Sequence, residues 1–214
     1  MFRTTGWERV YNNYYLNFFT MLEQPTPSPK EVVTGNSLEI NFLPIQPKYA
    51  MQATEYQSLW HGQGPRIVDA FKSITGLPFT EQKIDALVDE TKDGYSHSGH
   101  PFKTAMLFRQ YSRDKLPTIV HELTHRFISE YGLWEKTHDK FGLKNSHQLL
   151  DLFYYEIIKS LYGEEAVKER ITHESEDKSL QYRESWEWFL NMKPEDRINM
   201  RSQILAFATP EQKK

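Results

Sequence analysis

Between Thr118 and Arg126 the chain reads Thr-Ile-Val-His-Glu-Leu-Thr-His-Arg. His121 and His125 stand four residues apart, so on an α-helix they lie one above the other and can grip one metal ion. Glu122 sits about 100° round the helix from His121, where its carboxylate can reach a water held by that ion. The chemistry implied is metal-assisted hydrolysis with Glu122 as the base. With eight histidines in the chain, chance alone would produce the pattern in roughly a few per cent of sequences. The setting therefore matters. Ile119, Val120, Leu123 and Phe127 surround the polar residues, as expected of a helix at least half buried rather than a solvated one.

A catalytic zinc site usually holds three protein ligands and leaves a position for water. The next helical stretch offers His147, Asp151 and Glu156. His147 and Glu156 are nine residues apart, about 900° at 100° per residue, so they point from opposite sides of that helix and only one can face the metal. Asp151, one turn beyond His147, could orient that imidazole. Glu156 lies in an apolar run of Leu152, Phe153, Ile157 and Ile158, where an unpaired carboxylate is costly. Both remain candidates, with His147 favoured. His97 and His100 could line a cleft, although loop histidines more often face solvent. Tyr154, Tyr155 and Tyr182 could each offer a hydroxyl to a developing oxyanion, although packing is the commoner role of a tyrosine. The charged run Glu164–Glu176 reads as a solvated helix face and loop, and Trp186 and Phe189 as core.

These groups need elements to hold them. An aromatic-rich helix is expected over residues 7–22, docked on the core, and Gln24–Lys30 is a proline-rich connector. Strands are expected at Ser37–Ile45, Lys83–Glu90 and Lys103–Arg109, and a helix at Gly62–Thr75 ending before Pro78. The turn-rich run Lys92–Pro101 joins the last two strands and suggests an antiparallel pair. The metal helix should start near Asp114 or Pro117 and stop at Gly132. Helices are expected at Ser146–Tyr162, Glu164–Thr172, Gln181–Met192 and Pro194–Phe207. The order, sheet first and helices after, is α+β with a small antiparallel or mixed sheet. A single domain over residues 1–214 is expected: an N-terminal helix and connector (1–30), a sheet-containing part (37–110) and a mainly helical part (114–207).

Composition narrows the alternatives. The formal charge is −3 and the pI near 6.3, so the chain carries no electrostatic footprint for nucleic acid or an anionic membrane. There is no cysteine, which excludes thiolate metal sites and disulfide staples and leaves histidine and carboxylate as ligands. Mean hydropathy is low at −0.69, while aromatic residues make up 14% and can bury large areas. No apolar run approaches the ~20 residues that span a bilayer, and the first residues lack a signal-peptide core. A soluble, cytoplasmic protein is expected.

His121-Glu122-Leu123-Thr124-His125, with a strand just upstream, resembles the zincin metalloproteases and is most similar in layout to the thermolysin-like gluzincins. The resemblance covers roughly residues 83–160. Gluzincins carry a third ligand in a Glu-x-x-x-Asp pattern about twenty residues beyond the second histidine. Here His147-Gln-Leu-Leu-Asp151 occupies that place, keeping the Asp and replacing the Glu. The metzincin pattern is absent after His125. The resemblance implies a zincin-like fold and a zinc metallopeptidase acting on a peptide or protein substrate. Zn2+ would be held by His121, His125 and His147, with Asp151 behind them and Glu122 as general base. A peptide would pair with the Lys103–Arg109 strand. The alternative is a zinc-binding protein of the same fold that regulates or binds a partner without catalysis.

Overall fold

Strands of alternating burial begin the described part of the chain. The structure is a computed structural model that describes residues 38–91, 95–98, 105–112, 114–176 and 179–208. The helix expected over residues 7–22 and the connector after it lie outside those residues. Strand β1 (Glu39–Pro44), β2 (Lys83–Asp89) and β3 (Met106–Arg109) form one sheet in the order β1-β2-β3. Ile40, Phe42, Ile84, Ala86, Val88, Met106 and Phe108 all point into the core from one face. Lys83 and Asp85, on either side of the buried Ile84 in β2, are exposed.

Both strand pairings are parallel, with Ile40 opposite Ile84 and Val88 opposite Phe108. The expected antiparallel or mixed sheet is therefore wrong, and with it the zincin-like sheet. The reason lies in the connections. β1 returns to β2 through the long helix α1 (Ala50–Thr75), which is the crossover that parallel strands require. β2 and β3 are joined by residues 90–105, long enough to bring the chain back to the same end. Within that run His97 forms an isolated antiparallel bridge to Leu107, so the antiparallel contact to β3 comes from residue 97 and not from β2.

Helix α1 starts twelve residues earlier than expected because its apolar stripe does: Ala53, Tyr56, Trp60, Gly64, Ile67 and Phe71 are all buried. Pro65 lies inside it. Gly64 is required by packing, since a Cβ there would come within 2.8 Å of the Trp60 ring. Tyr56 stacks on Phe42 at 5.2 Å and meets Phe108 at 5.1 Å, binding helix to sheet. Gln57 uses its carboxamide as a surrogate strand: its oxygen accepts from Phe42 N–H at 2.9 Å, and its nitrogen donates to Ile40 C=O at 3.1 Å. That covers polar backbone groups on the edge of β1 that no strand among the described residues pairs with, and that would otherwise template strand addition.

Helix α2 (Lys115–Glu130) ends where expected, with Gly132 left-handed at φ 59. Ile119, Val120, Leu123 and Phe127 are fully buried, and the Phe127 ring touches Phe71, Phe79 and Phe153. Helix α3 (Leu133–Phe141) was not foreseen. Helix α4 (Ser146–Glu176) bends at Gly163 (φ 86, ψ 175), matching the break expected there. Helices α5 (Leu180–Asn191) and α6 (Pro194–Leu205) complete the fold. The long helix α1 falls between β1 and β2, and every helix after it follows β3. Among the described residues, no helix is long and apolar enough to cross a membrane.

Candidate metal centre

The middle of α2 supplies His121, Glu122 and His125, and the first turn of α4 supplies His147. One ligand nitrogen from each of the three histidines lies within 4.8 Å of the others. The ring centroids are 5.0 Å (His121–His125), 5.6 Å (His121–His147) and 5.1 Å (His125–His147) apart. Three atoms at that largest spacing lie about 2.8 Å from their common centre, against ~2.0–2.1 Å for a zinc–imidazole bond. Ring rotations of under about 1 Å would close the difference. Among the described residues this is the one such group.

Two observations test whether these residues suit a cation. The first is geometric: Nδ1 of His147 is buried without a hydrogen-bond partner, costly for a ring nitrogen with no role to fill. The second is electrostatic. Burial pushes His125 well below the ordinary imidazole range, with His121 and His147 adding to it. Burial and then His121 hold His147 at about 4. Both rings are thus neutral at pH 7, which is the ligating form. Three imidazoles with no thiolate suit Zn2+. The donor set fits.

Glu122 is buried beside the group and lines the same cleft. Burial raises its carboxyl above the usual range, opposed by His121, His97 and Arg170. The cleft is about 500 Å3, a ligand-sized space. The segment 95–98 and Tyr182 of α5 also line it, with the Tyr95 and Tyr182 rings stacked at 6.5 Å. Arg126, next to His125, fixes that segment to the metal helix: its guanidinium donates twice to Glu81, at 2.6 and 2.7 Å, and once to Ser98 C=O at 2.9 Å.

Several sequence expectations come out differently. Glu156 does not join the histidines; its carboxylate faces Arg201 at 3.6 Å. Asp151, expected to orient His147, instead accepts a 2.5 Å bond from Ser185 Oγ. Burial, and then Glu174, raise the Asp151 carboxyl well above its usual range. The edge of β3 is not open to a peptide at Leu107, whose N–H and C=O both pair with His97 at 2.8 and 2.7 Å. Arg109 N–H is taken by Ser96 Oγ at 3.2 Å. His97 lines the cleft, while His100 lies outside the described residues. Of the three tyrosines, Tyr154 donates to Pro117 C=O and Tyr155 to Glu164. Tyr182 alone lines the cleft, its ring 4.2 Å from that of His147.

The group that sequence reasoning missed is Glu174, at the far end of α4. Its Oε1 is 3.5 Å from His121 Nδ1 and 2.7 Å from Arg170, and its Oε2 accepts from Trp186 Nε1 at 2.7 Å. Burial alone would raise its carboxyl; Arg170, His121 and Trp186 outweigh that and hold it at about 2. A helical wheel would have found it. Val167, Arg170, Ile171 and Glu174 share one face, so the charged run has a core side.

Compared with protein-family models, curated proteins and solved structures, the chain matches none.

Proposed function

We propose that the protein is a zinc-dependent hydrolase of peptide bonds. The observation that carries this reading is the convergence of three imidazoles, from α2 and the first turn of α4, in a cleft where Glu122 is buried beside them. His121, His125 and His147 would hold Zn2+, which when bound supplies a water of lowered pKa and polarises the scissile carbonyl. Glu122 takes the proton of the attacking water and delivers it to the leaving amine. The raised proton affinity that burial gives this carboxyl suits it to both transfers. Tyr182 walls the cleft beside His147 and limits where a substrate can sit. Since the outward groups of Leu107 belong to His97, a substrate backbone would pair with the segment 95–98.

The test has two readouts. Zinc-loaded, dialysed protein should hold about one zinc per chain, and His147→Ala should lose it, whereas Glu156→Gln should not. Glu122→Gln, nearly isosteric, should keep zinc and fold but abolish cleavage of a peptide library, with the loss in kcat. Absence of bound zinc would end the metal reading. Equal cleavage by wild type and Glu122→Gln would end the enzymatic one, and zinc retention with no cleavage by wild type would favour a non-catalytic zinc protein.

A further inference from the structure

We propose that Glu174 is the positioning residue of the metal centre, and that the bend at Gly163 exists to deliver it. This rests on reading His121, His125 and His147 as metal ligands. One helix, α4, contributes to the site from both ends: His147 from its first turn and Glu174 from its last. The bend at Gly163 lies between them, so the half of α4 beyond it can approach α2 in its own direction. One ion contact ties that half to α2: Arg170 meets Asp114, beside the first turn of α2, at 3.4 Å, while within its own helix it meets Glu174 at 2.7 Å.

Glu174 faces the Nδ1 side of His121. That nitrogen is buried and has no hydrogen bond, and Oε1 of Glu174 stands 3.5 Å from it. An approach of about half an ångström makes an N–H···O bond. A proton held on Nδ1 leaves the lone pair on Nε2, the nitrogen available to His125, His147 and an ion between them. The carboxylate thereby selects the tautomer, fixes the ring plane and makes the ligand more basic. Asp151, where the offset along the helix placed this role, is engaged by Ser185 instead.

Two measurements decide it. Zinc affinity, by competition with a chromophoric chelator, should fall about 10–100-fold in Glu174→Gln, which keeps the side-chain volume. Glu156→Gln, at a carboxylate of the same helix that faces Arg201 and not the histidines, should change affinity little. Nitrogen-15 NMR of metal-free wild type should find His121 as the Nδ1–H tautomer, and the Glu174→Gln ring as a mixture. A purely structural Glu174 would leave that tautomer ratio unmoved. Wild-type His121 as the Nε2–H tautomer, or zinc affinity unchanged in folded Glu174→Gln, would overturn the proposal. If wild type binds no zinc, the site reading fails separately, and the metal-free tautomer still judges Glu174. If Glu174→Gln does not fold, the wild-type tautomer decides alone.

Discussion

Gly163→Ala distinguishes a built bend from an incidental one by the sign of its effect. A glycine in the interior of a regular helix is about 1 kcal/mol worse than alanine, so if residues 146–176 formed one straight helix the substitution would stabilise. Gly163 instead has φ 86 and ψ 175, a region that only glycine enters without strain, at about 1–3 kcal/mol for other residues. An alanine Cβ would meet nothing within 4 Å, so no clash adds to that strain. Replacing glycine also restricts the unfolded chain, which returns about 0.4–1 kcal/mol. The net expectation is a loss of up to about 2.5 kcal/mol. Urea unfolding at pH 7, with midpoint and slope both fitted, reads it. With a slope near ~2–3 kcal/mol/M, the midpoint should fall by up to about 1 M with the slope unchanged. Stabilisation by Gly163→Ala would refute the bend. Zinc affinity should fall in the same variant, since the strain is relieved by straightening α4 and withdrawing Glu174 from His121.

Two further outcomes follow from the same geometry. His125 and His147 have folded-state pKa values depressed below the unfolded 6.5, His147 to about 4, so the unfolded chain binds more protons between those limits. Metal-free stability should therefore be full above pH 6.5 and decline as pH falls towards 4. His147→Gln should flatten part of that slope, and an unchanged slope would mean the ring is not neutral in the fold. Gln57→Leu removes both bonds on the edge of β1, at about 1–2 kcal/mol, and should raise concentration-dependent self-association in sedimentation; a variant that stays monomeric at wild-type stability would show that the edge needs no cover.

Helix α2 was legible because its apolar spacing, its polar triad and the stop at Gly132 all agree. Sheet direction was not. Parallel strands buried on both faces read as continuous apolar runs, and alternation signals a half-exposed sheet that is commonly antiparallel. Here Lys83-Ile-Asp-Ala-Leu-Val-Asp89 alternates although its pairings are parallel, because only one face enters the core. Within residues 92–101 the antiparallel contact to β3 is the bridge from His97 to Leu107, not a pairing of β2 with β3. His147 was reachable as one of two residues on opposite helix faces. Glu174 was hidden by distance, since its partner His121 is 53 residues away and a bend intervenes. Composition made that interval look solvated, whereas the ion contacts among Arg170, Asp114 and Glu174 draw one side of it inward.

The buried charges beneath the histidines follow one logic. A carboxylate is expensive to bury and is retained where a cation answers it. Glu174 is answered by Arg170 at 2.7 Å, and burial, then Glu174 itself, raise the Asp151 carboxyl well above its usual range. Charge is thus favoured on the carboxylate facing His121 over the one facing Ser185. Were both ionised, their repulsion would act between the second and last turns of α4, close to the two places from which the site is assembled. The raised Asp151 carboxyl eases that repulsion, and the charge on Glu174 gives His121 a fixed orientation. The arrangement therefore prepares two neutral imidazoles and anchors the third, that of His121, before any cation arrives, and a site ordered in advance binds more tightly because less conformational freedom is lost on binding.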